Sequence, residues 1–377
     1  MISRPLFTKS FILITLAVLT YVLGFFPHLV KKYYSTGIYP YISSALRFIS
    51  SLVPFALGDI VYALLTGYVL YKAISLYRKR RKLQIKHRII IPLHILNFLL
   101  ILYIIFKAVW GLNYSRPGVS DDLGIKNEKY SVKELVLLGR YFIDKTNSLK
   151  AEVQLAGNQN NLNLYQLEQG AKSAYDVMAK RNVLFNYSNP CLKPVLNSWT
   201  VSKAGIEGYY APLTGEANMN MYLPDFVKPY VSCHEIAHQL GIAYEDEANL
   251  LGYLTASNSF DVRYQYSANY EMLRYILFEI RMKSPEDYKL LHDKISKAVL
   301  VDFNVEKQFW RKYNGQMFGY MDKAFDSFLK LNNQPKGIDS YQDIVIWLWN
   351  LHKSEITKSG NIESTTHVSL LWSRNSE

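Results

Sequence analysis

Three long apolar runs in the first third of the chain constrain its fold more than any other feature. Residues 11–30, 54–77 and 89–109 carry few charges between them. A helix needs about 20 apolar residues to cross the hydrocarbon layer, where its backbone must be satisfied internally. The runs therefore predict three transmembrane helices. No small-x-small cleavage pattern follows the first run, so it reads as a retained span. Asp59 falls near the start of the second, where a carboxylate must sit at the interface or face protein.

Between the second and third runs stands a basic block, Arg78-Lys79-Arg80-Arg81-Lys82, followed by Lys86 and Arg88. It supplies much of the formal net charge of +12. No nucleic-acid motif accompanies it, so the charge points to a topology signal and nucleic acid is not expected as a partner. The positive-inside rule keeps such a block cytoplasmic. That predicts a multi-pass protein of the inner (cytoplasmic) membrane, with its N-terminus inside and everything after Arg116 extracytoplasmic. Residues 43–53, SSALRFISSLV, read as an amphipathic helix lying in the interface with the bilayer.

The remainder reads as a water-soluble domain. The fold expected is mostly α: three membrane helices over 1–116, then an α+β domain with a small sheet over 117–352, then a polar tail over 353–377. Apolar periodicity predicts helices over 130–145, 165–181, 226–240, 246–257, 267–283, 285–299, 304–331 and 341–352. Residues 190–223 are rich in Gly, Pro and aromatics and read as short strands and turns. Two cysteines, Cys191 and Cys233, are too few for a disulfide framework.

The chemistry is concentrated in His234-Glu235-Ile236-Ala237-His238. Histidines four apart on a helix project from one face and can share one Zn²⁺. Glu235, beside the first, can reach a water at the metal and act as general base. Gly241 allows a sharp turn, and three acids follow: Glu245, Asp246 and Glu247. A catalytic zinc site needs a third protein ligand and an open position. On a second helix, Glu245, Ala248, Asn249 and Gly252 share a stripe whose small residues can approach the first helix closely. That favours Glu245 as third ligand, with Asn249 bonding a ligand from behind. Glu247 shares the opposite stripe with Leu250, Leu251 and Leu254 and is the alternative.

The stretch SCHEIAHQLGIAYEDEANLLGYL resembles the corresponding region of the DUF3810 family, a group of Bacteroidetes membrane proteins. Val53-Pro-Phe-Ala-Leu-Gly-Asp-Ile60, Trp110-Gly-Leu-Asn-Tyr114, Gly215-Glu-Ala-Asn218 and Gly337-Ile-Asp-Ser-Tyr341 fit the same family. The Glu-x-x-Ala-Asn piece is also similar to the second helix of gluzincin peptidases, in which the first Glu binds zinc. The resemblance implies a zincin-like domain and a membrane-anchored zinc metallopeptidase acting on a peptide or protein. The alternative is a zinc-binding sensor or interaction module without turnover.

Glu216, Ala217 and Asn218 are expected on a strand beside the histidine helix, either an edge strand that binds substrate by strand addition or an ordinary buried strand. Tyr209, Tyr210 and Tyr341 are candidates to stabilise the oxyanion, and with 30 tyrosines in the chain the sequence does not choose among them. His28, His87 and His94 belong to the membrane part, while His292, His352 and His367 read as ordinary surface histidines.

Overall fold

The computed structural model describes residues 4–79, 87–157, 161–313 and 343–359. The chain begins with helix α1 (Arg4–Leu23), a short turn α2 (Pro27–Leu29), a π-helical stretch (Val30–Ile38), and α3 (Tyr39–Ser51). Helices α4 (Leu57–Lys79) and α5 (His87–Val109) follow, then a 3-10 segment (Gly111–Ser115) and α6 (Val119–Asp122). Next come α7 (Val132–Leu155), α8 (Leu164–Ala179), strand β1 (Leu192–Pro194), α9 (Ser198–Lys203), and strands β2 (Gly208–Ala211) and β3 (Glu216–Met219). The remaining helices are α10 (Lys228–Gln239), α11 (Glu245–Ser257), α12 (Val262–Lys283), α13 (Pro285–His292), α14 (Lys297–Tyr313) and α15 (Asp343–Ser359).

Three helices, Arg4–Leu23, Leu57–Lys79 and Ile90–Val109, are long and apolar enough to cross a membrane. The first stops short of the run that announced it. Phe26 precedes Pro27, and the proline ring drives its neighbour out of the helical region, to φ −117° and ψ 72°. Residues 80–86 of the basic loop lie outside the described residues.

Helices α7 and α8 start on capping boxes. The Ser131 hydroxyl accepts from Glu134 N while Glu134 returns a bond to Ser131 N, and Asn163 and Gln166 do the same. Between them and the later helices lies a core that surrounds α10, which buries every residue but His234. The sheet has the order β1-β3-β2, with β1 parallel and β2 antiparallel to β3. Gln239 ties it to α10. Its amide nitrogen donates to Cys191 O (2.9 Å) and Gly215 O (2.8 Å), and its amide oxygen accepts from Tyr187 (2.6 Å).

Five expectations need correction. Strand β3 is the middle strand, so Glu216, Ala217 and Asn218 lie at no edge; all three are fully buried. The last helix continues past residue 352 to Ser359, because Ile356 is buried and Lys353 pairs with Glu128. His352 is no surface histidine. It is buried beside Tyr141, Phe142 and Tyr253, and shares a 2.7 Å hydrogen bond with the Tyr253 hydroxyl. The helix expected over 285–299 is two, α13 and α14, and that expected over 304–331 is the continuation of α14, described as far as Tyr313.

Hydrogen bonds cross the boundary drawn at residue 116. A helix end leaves its last carbonyls without intrahelical partners. At the end of α10 those carbonyls are satisfied from the membrane side. Trp110 Nε1 donates to His238 O (3.1 Å), and Tyr39 and Ser43 donate to Gln239 O at 3.0 and 2.8 Å. Arg47 adds a further bond to Gln239 O and reaches Ser188 O and Asn189 O. The chain then reverses at Gly241, whose φ of +84° suits glycine; a Cβ there would lie 2.7 Å from the Tyr39 ring.

Candidate metal centre

Helix α11 packs across α10 through its small residues. A Cβ on Gly252 would come within 3.2 Å of His234 N and Cα, so the two backbones are nearly in contact. This brings Glu245, at the first turn of α11, over the histidine pair. Its Oε2 lies 3.3 Å from His234 Nε2 and 3.6 Å from His238 Nε2. One ligand atom from each of the three residues falls within 4.8 Å of the others. The rings of His234 and His238 are 4.9 Å apart at 83°.

The supporting groups orient these side chains. His238 Nδ1 donates to Ile242 O at 2.7 Å, a bond that turns Nε2 toward the site. Asn249 lies one turn beyond Glu245 on α11, and its amide oxygen accepts from Tyr230 (2.9 Å). Glu247 points elsewhere: its Oε1 accepts from Val119 N at 2.7 Å. Burial pushes its carboxyl up to about 8. Of the two candidate acids, the fold brings Glu245 to the histidines.

The electrostatics suit a cation. Burial alone would raise Glu245, but His238 and His234 together hold it well below the usual carboxylate range. His234 is lowered by burial. For His238 burial also acts to lower, yet Glu245, Glu235 and the Ile242 carbonyl outweigh it and raise the group to about 9. Glu235 is 4% exposed, its Oε2 lacks a protein partner, and burial raises it to about 8. Two imidazoles and one carboxylate converging, with a second buried carboxylate unpartnered beside them, match the His₂Glu donor set of catalytic zinc. A divalent cation would offset the buried negative charge that this arrangement otherwise concentrates.

The centre opens into a cleft of about 1150 Å³. Strand β2 forms one wall, and no other strand among the described residues pairs with its outer edge. Gly208 on β2 lies so close to Glu235 that a Cβ would stand 2.5 Å from its Oε1. The free strand edge beside the centre thus falls at 208–211. The turn APLTG, closing on Gly215 at φ +72°, joins β2 to β3. Which of its two strands is outermost depended on β1 and was not readable. Glu216 instead caps α4, accepting from Leu57 N (2.9 Å) and Gly58 N (2.6 Å). Asp59 faces protein, accepting from Leu196 N and the Tyr209 hydroxyl.

Of the candidate tyrosines, Tyr209 is held by Asp59, Tyr210 pairs with Tyr39 at 3.4 Å, and Tyr341 lies outside the described residues. The sequence reading missed Tyr230 and Tyr275, which both line the cleft. It also missed a charged cluster on its wall. Arg274 lies 2.8 Å from both Glu271 and Glu306, and Glu207 stands beside them, raised to about 8 by burial and by Glu271. Both cysteines are buried and free.

The chain belongs to the DUF3810 family, described as proteins of unknown function, whose model matches residues 34–349. That span takes in α3 and Trp110, both of which bond to the end of α10. No curated protein and no solved structure matches the chain.

Proposed function

We propose that the protein is a membrane-anchored zinc-dependent peptidase. The observation that carries this reading is the convergence of His234, His238 and Glu245 beside the unpartnered carboxylate of Glu235. Zinc, when bound, lowers the pKa of a water and polarises a carbonyl. The chain's own groups do the rest. The outer edge of β2 pairs with an extended peptide, setting its carbonyl beside the site. Glu235 takes a proton from the attacking water and delivers it to the leaving amine, so the carboxylate returns to its starting state. A purely structural zinc site has no use for a base in that position.

The contact between Gly208 and Glu235 gives a direct check. Gly208→Ala is expected to displace the carboxylate and lower kcat by about 100-fold while zinc stays bound, since a misplacement of about 1 Å has that cost. Normal turnover in this variant would remove Glu235 from the chemistry.

We further propose that the site faces the extracytoplasmic side of the inner membrane, because the basic block 78–88 stays cytoplasmic. In whole spheroplasts, Ser120→Cys is expected to react with an impermeant thiol reagent and Gln84→Cys to stay unlabelled. Labelling at position 84 alone would reverse the orientation.

A further inference from the structure

The candidate centre lies at the membrane surface. Trp110 is one residue beyond the apolar helix Ile90–Val109, yet its indole bonds to the His238 carbonyl and its ring lies 6.3 Å from the His238 ring. Phe106, within that apolar helix, lines the same cleft as His234 and Glu235. On the same side, α3 is turned opposite to a water-facing helix. Its polar face, Ser43, Arg47 and Ser50, is buried against carbonyls of Gln239, Ser188 and Thr214. Its apolar face is outward, with Tyr41, Phe48 and Leu52 exposed at 77%, 58% and 70%. A helix in this orientation buries its outward face in the acyl boundary, in continuity with the apolar helices beside it. The end of α10 is therefore clamped between a span end and an interfacial helix. The headgroup layer is about 5–8 Å deep on each side of the hydrocarbon, so the site lies within or just above it.

We infer that the substrate is a peptide tethered to the bilayer close to its scissile bond, delivered to the cleft from the membrane plane. This rests on the peptidase reading above. A free peptide must enter the headgroup layer unaided, whereas a tethered one is already concentrated there. A short flexible tether presents its peptide at an effective concentration on the order of 1 mM, so the tethered rate should exceed that of about 10 µM free peptide by about 100-fold below saturation. Lengthening the spacer from about 5 to about 30 residues should lower the rate by about 10-fold.

The test uses the full chain, loaded with zinc, in vesicles. A mixed-sequence peptide library is presented on an acyl anchor, on a single hydrophobic helix, and free in solution, with Glu235→Gln as blank, and new termini are read by mass spectrometry. Preferential cleavage of either anchored library supports the inference and names the anchor. Equal or faster cleavage of the free library overturns it and leaves the peptidase reading standing. Cleavage of none overturns the peptidase reading, and the substrate assignment falls with it.

Discussion

Replacing Glu235 by Gln is expected to abolish nearly all hydrolysis while leaving the bound metal in place. The amide keeps the size and most of the packing of the carboxylate, but it cannot accept a proton. Loss of a positioned general base costs about 10²–10⁴-fold in rate. The effect should fall on kcat, because Glu235 acts on the attacking water and holds no part of the substrate in the ground state. His234 and His238 keep their positions on α10, and Glu245 still reaches both. Near-normal turnover in E235Q would refute the mechanism. Equal loss of metal and activity would make Glu235 a structural residue.

The second large effect separates the two acids of α11. Glu245→Ala removes the oxygen that lies 3.3 and 3.6 Å from the two imidazoles, and zinc content is expected to fall to background. Glu247→Ala should keep its zinc, because that side chain serves Val119 N on another face. It should instead be destabilised by about 1–3 kcal/mol, the cost of leaving a buried donor without an acceptor. Zinc lost in Glu247→Ala and retained in Glu245→Ala, measured on folded protein, would exchange their roles.

Much of this site was legible in the sequence because it rests on local periodicity. Two histidines four apart share a face in any helix, and the small residues Ala248 and Gly252 marked the stripe of α11 that could approach them. The contact between Gly252 and His234 is the consequence of that stripe. The three apolar runs were legible for the same reason: length and composition alone define them. Long-range arrangement was not. Nothing local shows that β1 runs parallel to β3 from some 25 residues upstream, so the middle strand was mistaken for an edge. Nor does periodicity reveal partners. Amphipathicity of 43–53 gave the helix and its outward apolar face, but not that Arg47 and Ser43 would satisfy the end of the metal helix. Likewise Arg274, Glu271 and Glu207 come together from α12 and the approach to β2, and only the fold brings them to one wall.

The claim on which all the others depend is that His234, His238 and Glu245 hold a metal. Its most direct test is metal analysis of the purified full-length protein after expression in zinc-sufficient medium, beside the His234→Ala and His238→Ala variants. The account predicts about one zinc per folded chain, as a single His₂Glu site binds, and none in either variant. A folded wild-type chain that carries no zinc and takes up none when it is supplied would contradict it.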